Sequence, residues 1–148
     1  MSRTNHQIWT HVVWNTKNSE NYFSLPFWTN YLNPLFFKIA HEKKIDLHFV
    51  NGYKNHVHAL IKVKPNQSLS SLVKLLKGIS SRRINEELGI NHFQWQTGYY
   101  VSSVSPNRLE IAIKYIVNQW EKHQSIDFEQ ELKIFDFDEK IYSFINMK

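Results

Sequence analysis

Ile45-Asp46-Leu47-His48-Phe49-Val50, closed by Asn51-Gly52 and followed by His56-Val57-His58-Ala59-Leu60-Ile61-Lys62-Val63, reads as two strands of one hairpin. Asn-Gly is a strong short-range turn signal, and both runs are rich in β-branched and large apolar residues. The second run ends before Pro65, which cannot donate to a ladder. Because strand side chains alternate, His56 and His58 project from one face and Val57 from the other. Two neutral imidazoles side by side on a rigid element are half of a divalent-metal site. An isolated His-x-His on a strand is more often structural, so the pair needs support from elsewhere in the chain.

Working outward, residues 6–14 alternate as a strand buried on both faces, and 15–26 form a polar loop. Residues 28–44 carry Leu32, Leu35, Phe36 and Ile39 at helical spacing, with Pro34 tolerable near a helix start or kink. Residues 68–88 form a long helix with Leu69, Leu72, Val73, Leu76, Ile79 and Ile84 on one face and Gly89 as its cap. Residues 98–105 make a fourth strand and 109–123 a third helix, with Asn107 and Glu110 as a capping pair. Residues 124–148 read as a short helix and docking tail. The order β-α-β-β-α-β-α predicts an α+β fold: a ferredoxin-like split βαβ, its antiparallel sheet of four to five strands covered by helices mainly on one face. The 148 residues are expected to be one domain with its core at about 6–123.

Composition narrows the function classes. Eighteen Lys and Arg against 13 Asp and Glu give a net charge of +5, which suits a polyanionic partner. With 10 Phe, 7 Tyr and 5 Trp, some rings are expected at the surface. The absence of Cys excludes disulfides, thiolate metal sites and cysteine nucleophiles. No apolar stretch reaches membrane-spanning length and no leader pattern opens the chain, so a soluble cytoplasmic protein is expected.

On a wheel of the third helix, Leu109, Ala112, Ile113, Ile116, Val117 and Trp120 form the apolar stripe, with Tyr115 well off it and Gln119 on its flank. Tyr115 and Gln119 are four apart and so share a surface. A phenol that the core does not need, beside an amide oxygen able to bind a hard cation, supplies a possible second half of the site. A metal that neutralises charge on a phosphodiester lets a phenol attack without a strong base. Imidazole, imidazole and amide leave open positions, as Mg²⁺ or Mn²⁺ requires. Each piece alone has an ordinary reading as core or surface. Lys74, Lys77, Arg82 and Arg83 crowd one stretch with Ser80 and Ser81 between them, and Lys54 and Lys114 flank the histidines and the tyrosine. These are candidate DNA contacts, with Trp95 or Tyr99 as base-stacking rings. The remaining histidines read as ordinary, although His123 lies two turns beyond Tyr115.

The ordered set Val12-Val13-Trp14-Asn15-Thr16-Lys17, Asn55-His56-Val57-His58-Ala59-Leu60, Leu76-Lys77-Gly78-Ile79-Ser80-Ser81, Phe93-Gln94-Trp95-Gln96-Thr97-Gly98-Tyr99, Ser103-Val104-Ser105 and Tyr115-Ile116-Val117-Asn118-Gln119 resembles the insertion-sequence-200-like transposases. These are the single-tyrosine branch of the His-hydrophobe-His nucleases, and the resemblance runs from about Trp9 to His123. It implies a dimer that cuts single-stranded DNA beside imperfect hairpins, forms a 5′-phosphotyrosine and rejoins strands with no nucleotide cofactor. By the resemblance His56, His58 and Gln119 would be metal ligands and Tyr115 the nucleophile. The tyrosine helix would be able to sit against the partner's histidines, with 102–107 as the hinge. Two other readings stay open: a non-catalytic single-stranded nucleic-acid-binding module, and a domesticated relative acting on repeated genomic palindromes. A small metalloenzyme acting on low-molecular-weight substrates is a third.

Overall fold

The computed structural model describes residues 6–123. Strands β1 (Ile8–Asn15), β2 (Asp46–Gly52), β3 (His56–Val63) and β4 (Tyr100–Val104) form a sheet in the order β2-β3-β1-β4, every neighbouring pair antiparallel. The helical segments are α1 (Leu25–Phe27), a π turn (Trp28–Leu32), α2 (Asn33–Glu42), α3 (Leu69–Leu88), α4 (Leu109–Val117) and α5 (Gln119–Lys122). This is the expected ferredoxin-like α+β arrangement. The tail at 124–148 lies outside the described residues.

Alternation in the two central strands decides which helix meets which face. Val12 and Trp14 of β1 and Val57, Ala59, Ile61 and Val63 of β3 pack with α2 and α3 in one buried cluster. Trp14 there meets Phe36 edge-on at 5.9 Å and Trp95 at 6.1 Å, and each such pair adds about 0.5–1.5 kcal/mol beyond its buried area. Trp9, Val13 and Leu60 point the other way and pack beneath Ala112, Tyr115 and Ile116 of α4. The two longest helices therefore share one face, and the tyrosine helix covers the other.

Several local expectations shift. Asn51 and Gly52 belong to β2, and the hairpin turns at 53–55. The indole of Trp28 overrides the turn preference by packing against Gly52 and donating its Nε1–H to Tyr53 O at 2.8 Å. A Cβ on Gly52 would lie 2.1 Å from the His56 carbonyl and 2.2 Å from the Trp28 ring, so only hydrogen fits there. Pro34 is the second residue of α2, in the first turn where its missing N–H is tolerated. The long helix begins after Ser68 and ends with Gly89 at φ 66°, the left-handed cap expected of it. Asn107 lies instead in a 3-10 turn (Pro106–Arg108), with no side-chain cap on α4. The third helix breaks at Asn118 into α4 and α5.

Two glycine substitutions are expected to act in opposite directions. Gly52→Ala should lower unfolding free energy by about 3 kcal/mol through overpacking against backbone and indole. Gly78→Ala, in the middle of α3 with nothing within 4 Å of the new methyl, should raise it by about 0.5–1 kcal/mol. Urea melts with unchanged m-values check both signs.

Candidate active site

On the α4 face, β1 and β3 pair with His11 opposite Leu60 and Val13 opposite His58. His11 and His58 are thus diagonal neighbours, and His56 continues the row at the strand's start. All three imidazoles are fully buried. His11 Nε2 lies 2.8 Å from His58 Nδ1. The Tyr115 ring stands edge-on to both, its centroid 5.4 Å from His58 and 5.8 Å from His11. Tyr115 does not lie off the packed stripe, contrary to the wheel reading. The buried residues of this helical run are Ala112, Tyr115, Ile116 and Gln119, whereas Val117 is 48% exposed. The reason is the surface opposite: a sheet face carrying imidazoles is matched by the phenol and amide edge of the helix.

Gln119 opens α5. Its Nε2 donates to Tyr115 O at 3.1 Å, which turns its Oε1 toward His56 Nε2, 3.2 Å away. On the far side of the His56 ring, Nδ1 lies 2.8 Å from Asn55 Oδ1, while Asn55 Nδ2 donates to Ser19 O. An amide oxygen only accepts, so His56 carries its proton on Nδ1 and its Nε2 is a bare lone pair in the neutral ring. That lone pair faces the Gln119 oxygen. A third donor atom, His123 Nε2, lies 3.1 Å from the same His56 nitrogen, with its ring stacked on Tyr53 at 4.4 Å.

Two imidazole nitrogens and an amide oxygen are donor types that a divalent cation accepts. Adjacent donors on an octahedral ion with bonds of about 2.1 Å stand about 3.0 Å apart, close to the 3.1–3.2 Å spacing around His56 Nε2. Among the described residues no three His, Cys, Asp or Glu side chains form a metal-holding group, so a metal held here would draw on the amide of Gln119 as well. Lys54 and Lys114 are both exposed, Lys54 in the turn before β3 and Lys114 on α4.

The other sequence candidates fare differently. Lys74, Lys77, Arg82 and Arg83 lie on α3, across the sheet from the histidines. Lys74 and Arg82 are exposed, and Arg83 approaches Glu86 at 3.9 Å. Lys77 Nζ donates to Gln96 O at 2.8 Å and Gly98 O at 2.7 Å, and partial burial lowers its pKa from the usual lysine value. It fastens the loop before β4. Ser80 is buried, accepting from Trp95 Nε1 and donating to Lys77 O, and Ser81 Oγ donates to Phe93 O. Neither hydroxyl is turned outward to a phosphate, and Trp95 belongs to the core. In sequence His11 and His123 both read as ordinary, with His123 two turns beyond Tyr115. The alternation that sets His11 on the same face as Trp9 and Val13 was the available signal.

An antiparallel βαββαβ sheet with a histidine pair and amide on one face, roofed by a tyrosine helix, defines the class of protein. The family model described as "Transposase IS200 like" matches residues 4–119. The chain belongs to the IS200-like transposase family. It is 36% identical over 74 residues to the transposase for insertion sequence element IS200 of Salmonella typhimurium, covering 46% of this chain and 48% of that one. It is 31% identical over 91 residues to the ISDra2 transposase TnpA of Deinococcus radiodurans, covering 57% and 64%. The matches thus span about half to two thirds of these curated relatives. A putative transposase from Deinococcus radiodurans R1 shares the fold with a TM-score of 0.61 at 23% identity, over 80% of this chain and 98% of that one. A REP-associated tyrosine transposase bound to a REP hairpin does so with a TM-score of 0.59 at 16% identity, over 85% and 76%.

Proposed function

We propose that this chain is a single-stranded-DNA transposase and endonuclease that cleaves and rejoins DNA beside hairpin ends through a 5′-phosphotyrosine on Tyr115. The observation that carries the reading is the meeting of the Tyr115 ring with His58, one helical turn from the amide whose oxygen faces His56 Nε2. His56, His58 and Gln119 would hold Mg²⁺ or Mn²⁺. When bound, the ion supplies polarisation of the phosphodiester and neutralises charge developing on its oxygens. Tyr115 Oη attacks phosphorus and the bond to the 3′-oxygen breaks, the phenol losing a proton and the 3′-oxygen gaining one. The phosphotyrosine conserves the ester linkage, so a 3′-hydroxyl reverses the step with no nucleotide cofactor.

Tyr115 is shielded from solvent while α4 rests on the sheet. A scissile phosphate therefore gains access only after α4 turns away, with the short 3-10 turn Pro106–Arg108 as its pivot. In a homodimer the same swing would offer Tyr115 to the partner's histidines and make the sites composite. The hairpin ligand of the REP-associated neighbour suggests imperfect hairpins as the substrate.

The test is incubation of the protein with labelled single-stranded hairpin DNA and Mn²⁺, followed by denaturing electrophoresis. A covalent protein–DNA band is expected, dependent on the ion. Binding without such a band, on element ends and on repeated palindromes alike, would favour the non-catalytic binding module. The exposed α3 cations are assigned to phosphates remote from the cleavage point. Reversing Arg82 and Arg83 should weaken binding and reduce the slope of log K against log salt by about 1.4–1.8. An unaltered slope would return both to the solvated surface.

A further inference from the structure

His11 has no part in the mechanism above, yet it is fully buried and its Nε2 lies 2.8 Å from His58 Nδ1, a side-chain contact to one of the strand histidines of the proposed site. We propose that His11 is a positioning residue for His58: it accepts the Nδ1 proton of His58 and so fixes that ring's tautomer and orientation with Nε2 bare. The inference rests on His58 being a metal ligand.

The argument is one of proton accounting. A neutral imidazole has one N–H and one lone pair. The Nδ1 of His58 is occupied by His11, so the nitrogen left to serve a cation is Nε2, and it serves only if the proton sits on Nδ1. That proton needs an acceptor. His11 Nε2 lies within reach at 2.8 Å, and accepting the proton requires His11 itself to be the Nδ1–H tautomer. His56 obeys the same rule through a different partner, since its Nδ1 faces the Asn55 amide oxygen at 2.8 Å. Both strand histidines are therefore held in the Nδ1–H form, the one an isolated side chain favours less. An outer hydrogen bond of this kind orients a metal-binding imidazole and raises its basicity, and its loss weakens metal affinity about 10–100-fold.

The fold explains why His11 can do this. It lies on β1, the strand paired directly to β3, in the register that makes it the diagonal neighbour of His58 on the same face. The ring also abuts Tyr115 edge-on, so the residue that orients the histidine also bounds the space of the phenol. A ring that only filled volume would be replaceable by any ring of similar size.

Three variants of the full chain separate the possibilities. His11→Phe keeps a ring but removes the acceptor, His11→Gln restores an acceptor oxygen, and His58→Ala removes the proposed ligand. The readouts are long-range ¹H–¹⁵N imidazole correlation spectra of the metal-free protein and Mn²⁺ affinity by calorimetry. In the wild type, His58 should show a protonated Nδ1 and a bare Nε2. His11→Phe should lose that signature and bind Mn²⁺ about 10–100-fold more weakly, and His11→Gln should recover most of the affinity. A wild-type spectrum with the His58 proton on Nε2 would overturn the proposal even if His11→Phe did not fold. So would a folded His11→Phe protein with wild-type Mn²⁺ affinity, provided His58→Ala loses affinity. Unchanged affinity in His58→Ala would instead remove the ligand reading itself.

Discussion

Tyr115→Phe is expected to eliminate the covalent protein–DNA complex while leaving hairpin binding and the fold nearly intact. Only the phenolic oxygen is deleted, and the ring that packs on His58 and His11 is kept. The covalent route has no other nucleophile in this cluster, because the imidazoles and the Gln119 amide are read as cation donors. Product formation should fall by at least about three orders of magnitude, as is seen when a catalytic nucleophile is removed. Stability should move by about 1 kcal/mol or less, the range for a single buried hydroxyl. Cleavage kinetics on a labelled hairpin, with binding measured in parallel, check the result. Retained cleavage would point to the small-metalloenzyme reading.

His56→Ala should abolish cleavage together with Mn²⁺ binding. The substitution removes the nitrogen around which the Gln119 oxygen and the His123 nitrogen gather, and with it one donor of the proposed set. Calorimetry should show affinity reduced by more than about 100-fold. His48→Ala is the matching control: that imidazole is half-exposed, pairs with Asp46 at 2.8 Å, and stands outside the donor set. It should bind the ion as the wild type does. Unchanged affinity in His56→Ala would take the paired histidines out of the metal site.

Much of this was legible in the chain because local and tertiary preferences agree there. The alternation of β1 and β3, the apolar face of α3 and the Gly89 cap each read directly into structure. The misreadings arise where a distant group overrules a local preference. The Asn51-Gly52 turn yields to the Trp28 indole, which no short-range pattern encodes. The α4 wheel ranks residues by apolarity alone, whereas the sheet face it meets carries buried imidazoles beside its apolar residues and draws Tyr115 and Gln119 inward. Lys77 and Ser80 resemble phosphate contacts in sequence, yet the loop before β4 claims their hydrogen bonds. His11 reads as an ordinary histidine because alternation gives its face of β1 but not the strand register that sets it beside His58. The His56, His58, Tyr115 and Gln119 set was visible as an ordered pattern, and the fold brings those four side chains onto one face of the sheet.

The most direct measurement is mass mapping of the protein recovered from the hairpin DNA reaction after nuclease trimming and proteolysis. A nucleotide 5′-phosphate should be found on the peptide spanning Leu109–Val117, with fragmentation assigning it to the Tyr115 oxygen. A nucleotide carried on any other residue, or a cleaved strand with no modified peptide, would contradict the tyrosine mechanism.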